Sequence, residues 1–216
     1  MKHVIEAISR HKVIVIMRKL PDDKIIPVTQ ALYDGGIRLI EVTFDQSDPN
    51  CLARTGGAIH AIADAFEGRM YVGAGTVLTK QQVDAAHASG AQFIISPNTD
   101  PEIIRHTVDL GMISIPGALT PSEIVLAHNC GAKFVKVFPG GDFGPGYIKA
   151  VCAPINHIPL LVVGGVNADN MQAFMDAGAV GIGVGSNIVD KKLIDSGDYA
   201  KLTELAKTYT SQIDAG

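Results

Sequence analysis

Hydrophobic positions along the chain fall into short apolar runs, separated by longer stretches with helical spacing. A glycine followed at once by an apolar run recurs four times in the same register, at residues 36–41, 90–95, 131–136 and 178–183. Glycine suits the left-handed residue that follows a helix, and a continuous apolar run is typical of a strand covered on both faces. Each repeat therefore predicts a helix exit followed by a buried strand.

Four further apolar runs lie between these repeats, at residues 13–17, 70–74, 112–116 and 160–163. The segments between strands place apolar residues at helical spacing. Residues 100–110 are an example, with Asp100 as the N-cap and Pro101 in the first turn. Strands and helices are thus predicted to alternate through eight βα units.

Eight such units can close into a barrel or lie open as a doubly wound sheet. An open nucleotide-binding sheet is expected to carry a G-x-G-x-x-G turn after its first strand, but residues 13–17 lead into Arg18 without a glycine. We therefore predict an α/β protein with a single (β/α)8 TIM barrel domain over residues 1–216. A helix over residues 2–11 is expected to cover the bottom of the barrel.

Charge and composition narrow the class of partner. The net charge of -4 is spread along 216 residues, without a basic run. Nucleic acid and anionic membranes are therefore not expected as partners. A small soluble metabolite is the expected partner. The apolar runs fall far short of a membrane span and no leader cleavage site is evident, which predicts a cytoplasmic protein.

Cysteine and histidine spacing gives no indication of a metal site. Cys51, Cys130 and Cys152 form no C-x-x-C pair, and the seven histidines form no metal-binding pair beside an acidic residue at a strand end. No Ser, His and Asp constellation is visible. We expect neither a metal nor a disulfide framework.

Two ionisable residues interrupt the predicted strands. Glu41 and Lys136 each follow a repeat glycine by five positions, so equivalent strands should place them at a similar height in the barrel. Burial lowers the pKa of a lysine and favours the neutral amine that attacks a carbonyl, and a nearby carboxylate can transfer protons. The alternative is a structural ion pair, or a lysine that extends to water.

Glycine-rich turns follow the last two predicted strands, at Gly164–Gly165 and at Gly185–Ser186. The corresponding loops of barrel enzymes commonly bind a phosphate, because glycine lets backbone N–H groups approach the anion. The alternative is that tight turns simply require glycine. A third glycine turn, after residues 70–74, offers the hydroxyl of Thr76 as a donor to a substrate oxygen.

Several segments together resemble the 2-keto-3-deoxy-6-phosphogluconate aldolases and their relatives, the 6-phosphogalactonate and 4-hydroxy-2-oxoglutarate aldolases. The resemblance covers nearly the whole chain and is carried by residues 40–43, 73–78, 95–98, 115–117, 134–139, 164–166 and 185–186.

The resemblance implies a pyruvate-forming class I aldolase that needs no cofactor and assembles as a homotrimer. It makes Lys136 the Schiff-base lysine and Glu41 the proton shuttle, with Thr76 and Pro97 lining the pyruvate half of the site. Residues 143–150 and 163–166 look closer to the galactonate branch. The C4 stereochemistry of the substrate, and the importance of 4-hydroxy-2-oxoglutarate, stay open.

One position departs from the family pattern. Phosphogluconate members tend to carry an arginine shortly after the E-V-T segment, whereas this chain has Asp45 there. Arg18 is then the candidate to clamp the substrate carboxylate through a bidentate contact, although it could equally be a solvent-exposed strand end. Two rival functions remain: another phosphate-binding barrel enzyme, such as an epimerase or synthase, and a catalytically inactive sugar-phosphate-binding barrel.

Overall fold

The computed structural model describes residues 1–214, in which parallel strands alternate with helices. The strands are β1 (Val13–Met17), β2 (Leu39–Thr43), β3 (Tyr71–Gly75), β4 (Phe93–Ile95), β5 (Ile113–Ile115), β6 (Gly117–Ala118), β7 (Val135–Val137), β8 (Leu160–Val163) and β9 (Gly181–Val184). The helices are α1 (Lys2–His11), α2 (Asp22–Asp34), α3 (Cys51–Ala65), α4 (Lys80–Ala88), α5 (Pro101–Asp109), α6 (Pro121–Asn129), α7 (Gly140–Cys152), α8 (Met171–Asp176), α9 (Lys191–Ser196) and α10 (Tyr199–Asp214).

The strands form one sheet in the order β5-β4-β3-β2-β1-β9-β8-β7-β6, which curls into a barrel. The predicted strand over residues 112–116 is observed as β5, and a second short segment, β6, follows Pro116: β5 pairs with β4, and β6 pairs with β7. The backbone N–H of Lys136 donates to the Pro116 carbonyl at 2.8 Å, so this bent strand joins the two edges of the sheet. The predicted α/β barrel is confirmed, with nine strand segments within residues 1–214 in place of eight strands.

The repeat glycines end helices as expected. Gly36, Gly90, Gly131 and Gly178 have φ values of 90°, 91°, 108° and 108°, which are left-handed. Asp100 caps α5 by accepting hydrogen bonds from the backbone N–H groups of Glu102 at 2.8 Å and Ile103 at 3.3 Å. The sequence thus determines both ends of the βα units locally.

Two apolar clusters make up the core. The larger one lies between the strands and the surrounding helices. The smaller one fills the barrel interior, where Val4, Ala7 and Ile8 of α1 pack with residues such as Leu39 and Phe93, which begin their strands. The predicted covering of the barrel bottom by α1 is confirmed. The carboxyl ends of the strands, at the opposite end, are thereby left open.

No helix within residues 1–214 is both long enough and apolar enough to cross a membrane.

Candidate active site

Among the residues that the structure describes, Glu41 and Lys136 are the acidic and basic side chains buried in the barrel interior. Glu41 lies in β2 and is 2 % exposed, and Lys136 lies in β7 and is 7 % exposed. Both line one small cavity of about 10 Å³, whose other walls are apolar side chains including Ile95 and Ile115. Two residues that are 95 positions apart in the sequence therefore reach the same interior space.

The Glu41 carboxyl group is closely confined. A Cβ added to Gly75 would lie 2.7 Å from the Glu41 Cδ atom, so any side chain at position 75 would require this carboxyl to move. Glu41 Oε2 is buried and has no hydrogen-bond partner. Burial raises the pKa of Glu41 from 4.5 to about 7, against the opposing charges of Lys136 and Arg18. The carboxyl can therefore both give and accept a proton near neutral pH.

The Lys136 amine is also buried, and it lies near an aromatic ring. Its Nζ lies 4.7 Å from the centroid of the Phe138 ring. Burial lowers the pKa of Lys136, Glu41 opposes this effect, and the positive charge of Arg18 reinforces it. A lysine with a lowered pKa has a larger neutral fraction near pH 7, which is the form that attacks a carbonyl.

A larger cleft of about 560 Å³ opens at the carboxyl ends of the strands and reaches Lys136. The structure brings to this cleft Lys136 and every residue that the sequence associated with substrate binding, namely Arg18, Thr76, Pro97, Gly164, Gly165, Gly185 and Ser186. Glu41 lies in the smaller cavity, which it shares with Lys136. The arrangement has the form of a site with reactive groups at the barrel interior and polar groups around the opening.

The glycines of the last two turns differ in their backbone requirements. Gly164 and Gly165 have φ values of 89° and 73°, so the left-handed turn alone explains why they are glycine. Gly185 has no positive φ, and a Cβ there would meet only the Cβ of Ile16, at 3.7 Å. Neither backbone conformation nor crowding explains glycine at position 185. What its missing side chain does is leave room in the cleft.

Sequence reasoning missed several residues that line the cleft. They include two cations, Lys19 and Lys191, together with Phe138 and Asn187. Lys191 pairs with Asp195 at 2.9 Å, and the Asn187 amide donates to the Val166 carbonyl at 2.9 Å. The available signal was position, because each follows shortly after a strand that contributes to the cleft.

Asp45 occupies the place at which an arginine would be expected. Its carboxylate pairs with Lys19 Nζ at 2.9 Å and accepts hydrogen bonds from the backbone N–H and the hydroxyl of Ser47. These contacts lower the pKa of Asp45 from 3.8 to about 2. Asp45 lines a neighbouring pocket rather than the main cleft, where Arg18 lies.

Metal-binding side chains do not gather in the described structure. Within residues 1–214, no group of three or more His, Cys, Asp or Glu side chains is arranged to hold a metal ion. The three cysteines are free.

Comparison with known proteins identifies a family over almost the whole chain. The sequence profile described as KDPG and KHG aldolase matches residues 4–205. The chain is 37% identical over 176 residues to the 2-dehydro-3-deoxy-6-phosphogalactonate aldolase of Escherichia coli (strain K12), which covers 81% of this chain and 83% of that protein. It is 32% identical over 207 residues to the 2-dehydro-3-deoxy-phosphogluconate aldolase of Treponema pallidum (strain Nichols), with 94% of each chain covered.

A solved structure extends the similarity to three dimensions. The KDPG aldolase of Legionella pneumophila, with pyruvate captured as a covalent carbinolamine intermediate, superposes with a TM-score of 0.85 at 26% sequence identity. The superposition covers 95% of this chain and 98% of that one. The barrel thus has a counterpart in a protein in which pyruvate was captured covalently.

Proposed function

The chain belongs to the KDPG and KHG aldolase family, and from that premise we propose which of its residues carry out the reaction. It is a class I aldolase that cleaves a 2-keto-3-deoxy-6-phospho sugar acid through a Schiff base to pyruvate and glyceraldehyde 3-phosphate. The observation that carries our residue assignment is the shared burial of Lys136 and Glu41 in one interior cavity below the cleft.

In the proposed reaction, the neutral Lys136 amine attacks the C2 ketone, and loss of water from the carbinolamine gives a protonated imine. The C3–C4 bond then breaks, its electron pair moves toward the imine, and the resulting enamine remains on Lys136. The C4 hydroxyl loses its proton and becomes the aldehyde of glyceraldehyde 3-phosphate. Protonation of the enamine at C3 and hydrolysis of the imine release pyruvate and regenerate the amine.

Glu41 is the proposed proton carrier. It would assist the loss of water from the carbinolamine and accept the proton of the C4 hydroxyl. Two properties support this role: the pKa of about 7 and the Oε2 atom that lacks a hydrogen-bond partner in the protein. A group that titrates near the working pH can serve as acid in one step and as base in the next.

We assign the two ends of the substrate to different sets of residues that line the cleft. We assign the keto-acid half to Arg18, Thr76 and Pro97, with the Arg18 guanidinium as the carboxylate clamp. We assign the phosphate to Gly164, Gly165, Gly185 and Ser186, because backbone N–H groups of strand-end turns commonly bind this anion. Lys19 and Lys191 also line this cleft, where each is paired with a carboxylate, that of Asp45 and that of Asp195 respectively.

Covalent trapping tests the Lys136 assignment. Borohydride reduction in the presence of pyruvate should add a stable mass to the peptide that contains Lys136, and Lys136→Met should abolish both the label and turnover. Lys133, an exposed lysine that lies three residues before Lys136, is the internal control. A label on Lys133 would refute the assignment to Lys136. Turnover without any label would also refute it, and would favour an epimerase-like or synthase-like use of the barrel.

The galactonate-type substrate is the proposed physiological one. Support comes from the higher identity to the phosphogalactonate aldolase, 37%, than to the phosphogluconate aldolase, 32%. Residues 143–150 and 163–166 point in the same direction. Both C4 epimers, and 4-hydroxy-2-oxoglutarate, should be assayed side by side. A higher kcat/KM for the gluconate epimer would contradict the proposal.

We also propose that the chain works as a homotrimer in the cytoplasm. Large apolar side chains that remain exposed in the single chain, among them Leu52, Leu78 and Leu126, are consistent with assembly. Free cysteines are consistent with a reducing compartment. Native mass spectrometry should give three times the chain mass of 22.8 kDa, and a monomer at micromolar concentration would contradict the trimer.

A further inference from the structure

Thr76 has a backbone conformation that a β-branched residue rarely adopts. Its φ is 57°, in the left-handed region, and it follows directly on the last residue of β3. A β-branched residue with positive φ is a genuine outlier and persists only when the surrounding structure holds it. Since Thr76 lines the cleft, what holds it there bears on the reaction.

A chain of three hydrogen bonds holds the segment after β3. The Gln46 side-chain amide donates to the Thr76 carbonyl at 2.8 Å. The Gln82 amide in turn donates to Gln46 Oε1 at 2.9 Å, and Gln82 Oε1 accepts from the Leu78 backbone N–H at 2.7 Å. The two glutamines thereby fix the backbone on both sides of Val77.

Gln82 is the buried end of this series of hydrogen bonds. It lies in α4 and is only 4 % exposed, although glutamine is usually found at the surface. Its amide nitrogen donates to Gln46 and its amide oxygen accepts from Leu78, so both polar atoms of this buried side chain have partners. Without them the buried amide would be destabilising. Gln46 is exposed and belongs to the loop after β2 in which Asp45 replaces the expected arginine.

From this geometry we infer that Gln46 and Gln82 are positioning residues for the aldol reaction. They keep Thr76 in its left-handed conformation and so hold its hydroxyl in place at the keto-acid half of the cleft. The inference rests on the proposed function, in which Thr76 contacts the part of the substrate that becomes pyruvate. That half is common to every substrate of the reaction, so the effect should not depend on the phosphate.

The decisive variant is Gln46→Met, which keeps the length and neutrality of the side chain but removes the donor to Thr76. Gln30→Met is the matched control, because Gln30 is also exposed and donates its amide to Asp34 within α2. We expect Gln46→Met to lower kcat/KM about threefold to tenfold, the value of one hydrogen bond. The loss should be equal for the phosphorylated substrate and for 4-hydroxy-2-oxoglutarate. Gln30→Met should behave as the parent.

A double-mutant cycle then tests whether Gln46 acts through Thr76. In a Thr76→Ala background no hydroxyl remains to be positioned, so Gln46→Met should cause no further loss. Gln82→Met removes the buried end of the chain and should give the same substrate-independent loss. Hydrogen exchange of the Leu78 amide should be faster in Gln82→Met, even where thermal unfolding shows a small loss of stability.

The inference is overturned if Gln46→Met has the kcat/KM of the parent, or if its loss persists in full in the Thr76→Ala background. Failure of the proposed function is a separate result. In that case the parent chain itself would show no turnover and no pyruvate label on Lys136.

Discussion

At the scale of single residues, the barrel buries two side chains that would be more stable in water. A carboxyl and an amine inside an apolar cavity each resist ionisation, which is why the pKa of Glu41 is raised and that of Lys136 is lowered. Their attraction opposes both shifts but ranks below desolvation. A pair whose purpose was structural would be expected to have its oxygens satisfied, whereas Glu41 Oε2 has no partner.

The stability of the protein should therefore depend on pH through Glu41. The pKa of Glu41 is about 7 in the folded protein, against the ordinary value of 4.5 expected for the unfolded chain. The protonated carboxyl therefore contributes fully to stability below about pH 4.5, and this contribution is lost as pH rises through about 7. Glu41→Gln imitates the protonated carboxyl and should be spared this loss. Urea unfolding from pH 5 to 8 should show the variant gaining on the parent by up to about 3 kcal/mol, since one pKa unit equals about 1.4 kcal/mol.

Turnover separates this electrostatic effect from a purely structural role. Glu41→Gln should lose roughly 10²–10⁴-fold in kcat, the usual contribution of a general acid or base. A stability difference that does not vary with pH would contradict the raised pKa, and near-parental turnover would reduce Glu41 to a structural residue.

Arg18 is the residue-scale prediction for substrate binding. Arg18→Lys keeps the positive charge but loses the planar fork that binds a carboxylate through two hydrogen bonds, so KM for keto-acid substrates should rise. Lys19→Met is the control, because it removes a neighbouring charge of the same cleft. If Arg18→Ala leaves KM unchanged, or if Lys19→Met raises it as much, the clamp lies elsewhere.

At the scale of elements, the turns after β8 and β9 supply the proposed phosphate site, but their glycines are not equivalent as tests. A side chain at Gly164 or Gly165 would strain a left-handed backbone whether or not a ligand binds there. Gly185 is free of that constraint, and its nearest neighbour for an added Cβ is 3.7 Å away.

Gly185→Ala should therefore report on the ligand. Its methyl group should hinder approach of the phosphate and lower kcat/KM for phosphorylated substrates by about tenfold or more, as expected when a charge-assisted hydrogen bond is weakened. Cleavage of 4-hydroxy-2-oxoglutarate, which has no phosphate, should change little. Equal losses for both substrates would show that Gly185 only shapes the turn.

Local signals were enough to predict most of the barrel elements. The repeat glycines and the Asp100 cap act within a few residues of the backbone that they determine, so the alternation of helix and strand was visible. The division of the fifth strand was not visible, because the apolar run continues past Pro116. A proline has no N–H to donate, and which neighbour each half pairs with is decided by distant strands.

The site was predictable to the extent that its residues conflict with their surroundings. A charge within an apolar strand drew attention to Glu41 and Lys136, and the roles assigned to them stay predictions until the variants are measured. Lys19 and Lys191 went unnoticed because charged residues in loops and at helix ends are ordinarily solvated. Gln46 and Gln82 form a hydrogen bond across 36 positions of sequence, and no local sequence pattern predicts such a contact.

At the scale of the whole molecule, the barrel separates stability from chemistry. The bottom is sealed by α1, whose Ile8 is 0 % exposed in the interior apolar cluster, while the cleft and its polar groups lie at the other end. This division is general for the fold, in which the carboxyl ends of the strands carry the active site.

Ile8→Ala should therefore reduce stability without changing catalysis. Removing the buried side chain should cost about 2–5 kcal/mol of unfolding free energy, as for other large-to-small core substitutions. Under conditions where the variant stays folded, kcat and KM should equal those of the parent. Ile26→Ala, at an exposed position of α2, is the control and should change neither quantity. A fall in kcat for Ile8→Ala would show that the bottom of the barrel communicates with the cleft.

The unpartnered carboxyl oxygen of Glu41 has a further consequence, for how such a chain evolves. Replacing both members of a buried ionisable pair with apolar residues often stabilises a protein, so selection for heat resistance alone would favour variants that lose Glu41 and Lys136 together. At Ile8 the same selection would preserve the native residue. A library sorted only for folding should thus become enriched in inactive sequences at the top of the barrel while its bottom stays unchanged, and the positions that diverge between a folding sort and an activity sort would map the catalytic centre.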